Sequence, residues 1–297
     1  MKRGSEPLSW LFFHPHQGLW NARLLGILQR VIPVRPVYIG IAGIVVLVDT
    51  AILWMRAFAR RMHQFGPASL VARTRLPAGI PVLYFDLGTH RNARELSWMV
   101  DEVLPRLCSS FQAYGFEPCH EFYEQARARL ADRGNVQLVN CALCYGLPTP
   151  ARLRLYRPPG HGLTSSLYRP QYGEYEEVDA LRFSDWVRSS GLHLENSVCL
   201  LRMNIEGAES DVIQDLVDHG LASYIDGYYG MWDDVGKIDR QRDEDLRALL
   251  ASAHISKLTF NGRDMRVGFR RKCIEYDVHT SAPVGLRRMR RAQKFRN

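Results

Sequence analysis

Val82-Leu83-Tyr84-Phe85-Asp86-Leu87-Gly88-Thr89-His90-Arg91-Asn92-Ala93-Arg94-Glu95 reads as a buried strand, a tight loop and the start of a helix. An apolar run leads up to an acid, and Gly88 lets the backbone approach a ligand closely. Asn92, with Glu95 three residues later, has the spacing of a capping box. Beyond it, Leu96, Met99, Val100, Val103, Leu104 and Leu107 recur every three or four residues, the period of a helix with one apolar face. The N-terminal amides of such a helix point back at the loop, where they suit the negative end of a ligand. The three glycines of a dinucleotide fingerprint are not there.

Working outward, Phe111 to Phe116 reads as a second strand ending in Glu117-Pro118, and a helix from near His120 presents Phe122, Ala126 and Leu130 on one face. A carboxylate at the end of a second strand suits a ribose, because it accepts hydrogen bonds from both hydroxyls of a diol. Val136 to Val139 is a third strand, ending in Asn140-Cys141-Ala142, a pair of residues suited to a base edge. Cys199 to Met203 is the fourth, followed by a helix from Ala208 that carries Val212, Ile213, Leu216 and Val217 inward and stops at Gly220. Ser223 to Tyr229 is the fifth, leading into the loop Tyr228-Tyr229-Gly230-Met231-Trp232-Asp233-Asp234. A helix near Asp243 to Ala253 and strands at Ile255 to Phe260 and Arg266 to Tyr276 then complete a seven-stranded α/β sheet of Rossmann-like type with helices on both faces. Between the third and fourth strands, Tyr145 to Glu177 is rich in Gly, Pro and Tyr, and Arg157-Pro158-Pro159-Gly160-His161-Gly162 is incompatible with a helix interior. Loops on this side of an α/β sheet hold substrates; a surface loop folded on itself is the other reading.

Over Val82 to Phe260 the chain resembles the FkbM-type S-adenosylmethionine-dependent methyltransferases. Four blocks carry the resemblance, in the family order: Phe85-Asp86-Leu87-Gly88, Gly115-Phe116-Glu117-Pro118, Leu163-Thr164-Ser165-Ser166-Leu167, and Leu201-Arg202-Met203-Asn204-Ile205-Glu206-Gly207-Ala208-Glu209. The last is the most specific, since the family usually carries a lysine, an apolar residue, an aspartate, an apolar residue and then Glu-Gly-Ala-Glu. Two positions depart from the pattern. Asn92 stands where the loop usually ends in glycine, and asparagine tolerates a left-handed backbone best among the other residues. Asn204 stands where aspartate is usual, which removes a charge suited to the cofactor's ammonium or a substrate hydroxyl.

The resemblance implies a class I methyltransferase sheet, S-adenosylmethionine as cofactor, and O-methylation of a hydroxyl on a sugar, glycan, polyketide or similar small molecule. It places Asp86, Gly88, Thr89, His90, Asn92, Glu117, Pro118, Asn140, Cys141 and Asn204 around the cofactor, and Ser165, Ser166, Trp232 and Asp233 toward the acceptor. Methyl transfer to a hydroxyl needs alignment and a proton acceptor. Glu206, His90 and Glu209 are the candidates, with Asp233 and Asp234 behind them. Each has a plainer role open to it: Glu209 as a cap, His90 as a loop former, the aspartates as solvated acids. A catalytically weak, membrane-associated binding or scaffold protein retaining the same fold is the alternative, motivated by Asn92, Asn204 and the apolar N-terminus.

At 297 residues and 46% apolar content the chain holds one large α/β domain with an extension and excludes disorder throughout. Its cysteines (Cys108, Cys119, Cys141, Cys144, Cys199, Cys273) form no repeating framework, which fits a reduced compartment. Cys141 and Cys144 have metal spacing, but no second pair or histidine cluster completes a site, so no metal is expected. Of the net charge of +8, Arg287, Arg288, Arg290, Arg291, Lys294 and Arg296 lie in the last eleven residues without an acid, leaving about +2 elsewhere. A solvated tail and an attraction to anionic lipid or nucleic acid both fit; without a nucleic-acid motif, nucleic acid is the weaker partner.

Val37 to Met55 is apolar except for Asp49 and Thr50, with Arg30 and Arg35 before it and Arg56, Arg60 and Arg61 after. Nineteen helical residues span about 28 Å, the minimum for a bilayer core. A central Asp49 opposes insertion by about 2.5 to 3.5 kcal/mol. A membrane anchor, an interfacial helix and a helix packed on the domain all remain open, and the upstream Trp10-Leu11-Phe12-Phe13 is also apolar. If the segment spans, the arginines after it put the catalytic domain in the cytoplasm. The expected organisation is an extension over 1–75 with its apolar helix at 37–55, a methyltransferase domain over 76–280 and a basic tail over 281–297.

Overall fold

The computed structural model describes residues 75–148, 150–158, 165–230, 234–255, 257–259 and 267–296. The chain divides into two compact units, 1–70 and 71–297, and the first, with the apolar run Val37 to Met55, lies outside the described residues. No helix among the described residues is long and apolar enough to cross a membrane.

The strand β1 (Val82–Leu87) is buried along its whole length, as a continuous apolar run predicts for the centre of a parallel sheet. Tyr84 points to one face; Leu83, Phe85 and Leu87 point to the other. After it come α1 (Arg94–Trp98), a π turn over Met99–Val103 and α2 (Leu104–Leu107). The expected apolar face is there, with Leu96, Met99, Val100, Val103, Leu104 and Leu107 all buried. The widened turn ends two residues before Pro105, which has no N–H to give and whose ring crowds the preceding turn of an ordinary α-helix. The capping box does not form. The N-cap is Ala93, left-handed at φ 44° and without a side-chain cap.

Next are β2 (Phe111–Phe116), α3 (His120–Leu130) with Phe122, Ala126 and Leu130 buried, and β3 (Val136–Val139). The segment expected to be a loop is instead a small sheet of β4 (Ala142–Leu143), β5 (Ala151–Arg157) and β6 (Glu174–Leu181), ordered β4-β6-β5, with β5 and β6 antiparallel. Leu155, Val178 and Ala180 bury one face of it against Cys119 and Phe122, while Arg152, Arg154, Glu177 and Asp179 lie on the exposed face. That period-2 alternation was in the sequence, masked by the prolines and glycines on its flank.

The chain continues through α4 (Phe183–Ser189), β7 (Val198–Met203) and α5 (Glu209–Asp218). The helix α5 ends at Gly220 as expected, with φ +70° and Leu221 N–H donating to the Leu216 carbonyl at 2.8 Å. The strand β8 (Gly227–Gly230) is shorter than predicted, because Ala222–Tyr224 forms a 3-10 turn. Then come α6 (Asp234–Ile238), α7 (Arg240–Ser252), β9 (Lys257–Thr259) and α8 (Val267–Arg296). The side chain of Asp239 caps α7 by accepting from the N–H groups of Gln241 and Arg242.

The main sheet has six strands, all parallel, in the order β3-β2-β1-β7-β8-β9. Helices cover both faces: α1, α2 and α8 on one, α4, α5 and α7 on the other. The predicted seventh strand, Arg266 to Tyr276, is helix from Val267 onward, and so is the predicted solvated tail. The spacing of four from Ile274 to Val278 to Ala282 buries one side of α8 in the core, a period hidden in sequence by the alternation Ile274, Tyr276, Val278. The boundary expected between 280 and 281 therefore falls inside a helix.

Candidate functional site

The strand order reverses between β1 and β7, so the crevice beyond their C-terminal ends is the topological switch point, where open α/β sheets bind ligands. Register puts Asp86 beside Arg202. Arg202 Nη1 donates to Asp86 Oδ1 at 2.6 Å and to the Gly88 carbonyl at 3.1 Å, so one guanidinium joins both strand ends to the loop. Both side chains are buried. Burial pushes the Asp86 carboxyl above its ordinary range while Arg202 pulls it back. Burial also opposes the Arg202 charge, but Asp86 and Glu95 more than offset that, and the guanidinium stays charged.

The loop after β1 is folded tightly against its neighbours. At Gly88 φ is +86°, and a Cβ there would lie 2.1 Å from the Asn204 carbonyl oxygen, so only glycine fits. The N–H groups of Gly88 and Thr89 both donate to the Phe116 carbonyl at 3.0 Å, and Thr89 Oγ1 donates to the Asp86 carbonyl. Asn92 is not left-handed, contrary to expectation; His90 (φ 62°) and Ala93 (φ 44°) make the turn. A residue between two reversals has no need of the conformation itself.

Glu117 Oε2 accepts from His90 N–H at 2.7 Å, and Oε1 accepts from Cys119 N–H at 3.0 Å. Burial pushes its carboxyl up to about 7, against the pull of these two N–H groups. Burial, then Arg91, Arg94 and Arg202, lower the pKa of His90, so its ring is neutral at pH 7. The ring packs edge-on to Phe122 at 5.0 Å, and its Nε2 is buried with no hydrogen-bond partner. The Asn140 amide, expected at a base edge, donates to the carbonyls of Glu117 (2.8 Å) and Pro118 (3.1 Å), and its oxygen meets His120 Nδ1. It ties β3 to the end of β2. Cys141 is buried, with its thiol pushed up to about 12 by burial, and no metal-holding cluster occurs among the described residues.

After β7, Asn204 N–H donates to the Leu87 carbonyl at 2.9 Å, and its side-chain Oδ1 is buried without a hydrogen-bond partner. Glu206 is buried and left-handed at φ 52°. Glu209 accepts from Ile205 N–H (2.9 Å) and Gly207 N–H (2.8 Å), so both its oxygens hold the preceding loop. The expected helix cap does not form: the N-cap is Ala208, with no side-chain cap, and Glu209 reaches back to the loop instead. Ser166 Oγ donates to the Glu206 carbonyl at 2.6 Å and accepts from Tyr168 N–H, which makes it a brace for Glu206. Ser165 sits beside it, half-buried. Trp232 and Asp233 lie outside the described residues.

Sequence reasoning missed Arg202 as a functional group, although it stood inside the most specific block. It also missed the brace of Tyr168, Asp211 and Arg242, in which Asp211 binds both partners and the Arg242 guanidinium lies 4.0 Å from the Tyr168 ring centroid. No local pattern links three residues on separate elements. What the arrangement offers a ligand is a glycine turn closed on the switch point, acceptor atoms on Asp86 (Oδ2) and Asn204 without protein partners, a neutral imidazole and a buried carboxyl at the end of β2. No protein-family model matches the chain, and a search of curated proteins gives no match.

Proposed function

We propose that this protein is an S-adenosylmethionine-dependent O-methyltransferase acting on a hydroxyl of a sugar, glycan, polyketide or similar small molecule. The observation that carries the reading is the closure of Gly88 on the Asn204 carbonyl at the switch point, beside the buried, unpartnered Oδ1 of Asn204 and Oδ2 of Asp86. The residues present fit the cofactor. Asn204 Oδ1 and Asp86 Oδ2 are acceptors for an ammonium, and each Glu117 oxygen keeps a lone pair for a ribose hydroxyl beside the N–H it already accepts. Bound there, S-adenosylmethionine supplies an electrophilic methyl group.

The chain's own task is then alignment, exclusion of water and removal of one proton. Glu206, held through its carbonyl by Ser166, orients the acceptor. The neutral His90 imidazole would accept the proton of the acceptor hydroxyl. A second reading, a cofactor-binding scaffold with little turnover, is favoured by the Arg202–Asp86 pair, which neutralises the acid near the end of β1.

Calorimetry of S-adenosylmethionine binding to the wild type and Glu117→Ala, followed by transfer of a labelled methyl group to an extract of small molecules, tests both. Saturable binding lost in Glu117→Ala, with label transferred and then lost in His90→Ala, is the expected result. Binding without transfer selects the scaffold, and no binding rejects both.

A further inference from the structure

Near the C-terminal end of α8 the arginines from 287 to 291 are of two kinds. Arg288 turns inward, with Nη2 3.0 Å from Asp226 Oδ2 and 2.6 Å from the Ser197 carbonyl. Arg287, Arg290 and Arg291 are exposed, and among the described residues none of the three makes an ion pair or hydrogen bond. Steps of three and four residues put them along one stripe. Val284, 46% exposed, starts that stripe one turn earlier. The opposite side of the helix is fixed in the core by Ile274, Val278, Ala282 and Met289, so the Cα positions of the stripe are fixed and its side chains project together from one face. Like charges at this spacing repel, and the last eleven residues hold no acid to relieve them. Relief has to come from a counter-charge outside the helix.

We propose that this stripe docks on an anionic phospholipid surface. Lipid is favoured over nucleic acid for two reasons. No aromatic residue lies among Arg287, Arg290 and Arg291 to stack a base. The sequence also carries, in the apolar run Val37 to Met55 bracketed by arginines, a second feature suited to lipid and not to nucleic acid. The stripe is remote in sequence from the switch-point loops, so the inference does not depend on the methyltransferase reading.

The test is flotation of the full chain with vesicles of phosphatidylcholine alone and of phosphatidylcholine with phosphatidylserine, for the wild type and for the triple variant R287Q/R290Q/R291Q. The wild type should partition more strongly onto the anionic vesicles and lose that preference near 1 M salt, where the Debye length falls to about 3 Å. The triple variant should bind them on the order of 100-fold more weakly. Its urea midpoint should be unchanged, since the three side chains make no internal contact of this kind. Equal partition of the wild type onto both vesicles, or onto neither, overturns the proposal. So does a triple variant that binds like the wild type, which assigns binding to Val37 to Met55 alone, or a fallen urea midpoint, which makes the stripe part of the fold. Tighter binding to polyuridylate than to anionic vesicles at equal phosphate overturns it in favour of nucleic acid.

Discussion

Replacing Arg202 by Met should be the most damaging conservative change in the domain, and the damage should depend on pH. Asp86 and Arg202 are 0% and 7% exposed and meet at 2.6 Å. At an effective dielectric of about 20, charges ~4 Å apart attract by about 4 kcal/mol, while burying each ion costs several kcal/mol. The intact pair therefore contributes little net stability, but breaking it strands a buried carboxylate at a cost of about 3 to 5 kcal/mol. For a domain of this size that corresponds to a fall in Tm of roughly 6 to 20 °C. Burial already raises the Asp86 folded-state pKa, and losing Arg202 raises it further. An acid with a raised folded pKa contributes stability fully below its unfolded pKa and loses it as pH rises through the folded value. The deficit of Arg202→Met against the wild type should accordingly be larger at pH 7.5 than at pH 5, by urea denaturation at each pH. Adding Asp86→Asn to Arg202→Met should recover much of the loss at pH 7.5. A single variant as stable as the wild type, or a deficit that ignores pH, would refute the buried clamp.

Further expected outcomes concern the other parts of the site. Gly88→Ala forces a Cβ to 2.1 Å from the Asn204 carbonyl at φ +86°, so it should cost at least about 1 to 3 kcal/mol by thermal melting and, in the proposed methyltransferase reading, abolish S-adenosylmethionine binding by calorimetry. Glu209→Ala leaves the N–H groups of Ile205 and Gly207 without their acceptor and should cost about 1 to 3 kcal/mol for each that stays buried, with Glu209→Gln intermediate; a loss of turnover at unchanged urea midpoint would instead make Glu209 a catalytic acid or base. Glu117, with its folded pKa pushed up from 4.5 to about 7, contributes stability below pH 4.5 that is lost as pH rises through 7, up to about 3 kcal/mol. Glu117→Gln should therefore gain on the wild type between pH 5 and 8 in urea midpoints, and parallel pH profiles would contradict this. Deleting residues after Arg266 should unfold the domain rather than trim a tail, since Ile274, Val278, Ala282 and Met289 fill its core; an unchanged circular dichroism melt would oppose that.

The parts of the fold legible in sequence are those where one physical signal dominated. The fully buried strands β1 and β7 announce themselves as apolar runs, and α5 by its period and its terminal Gly220. Two kinds of feature were hidden. Where two periods overlap, as from Ile274 to Val278, sequence offers strand and helix together, and only the packing of α8 against the sheet decides between them. Where a carboxylate has several possible partners, its type does not say which it takes. Asp86 in β1, Glu117 after β2, Asn140 after β3 and Glu209 at the start of α5 each have hydrogen bonds to their own chain: a guanidinium, two loop amides, two carbonyls and two more amides. The same residue types that recognise a ligand thus also build the loops that surround it. Arg202 shows why this matters for function. A cation in register with Asp86 makes the most conspicuous acid of the first block half of a clamp with one oxygen left over, so in the proposed methyltransferase reading Asn204, whose oxygen has no protein partner, shares the binding of the ammonium. Asn204→Asp should then strengthen S-adenosylmethionine binding if the ammonium lies there, because it restores a full charge beside the neutralised pair, whereas weaker binding would place the ammonium elsewhere.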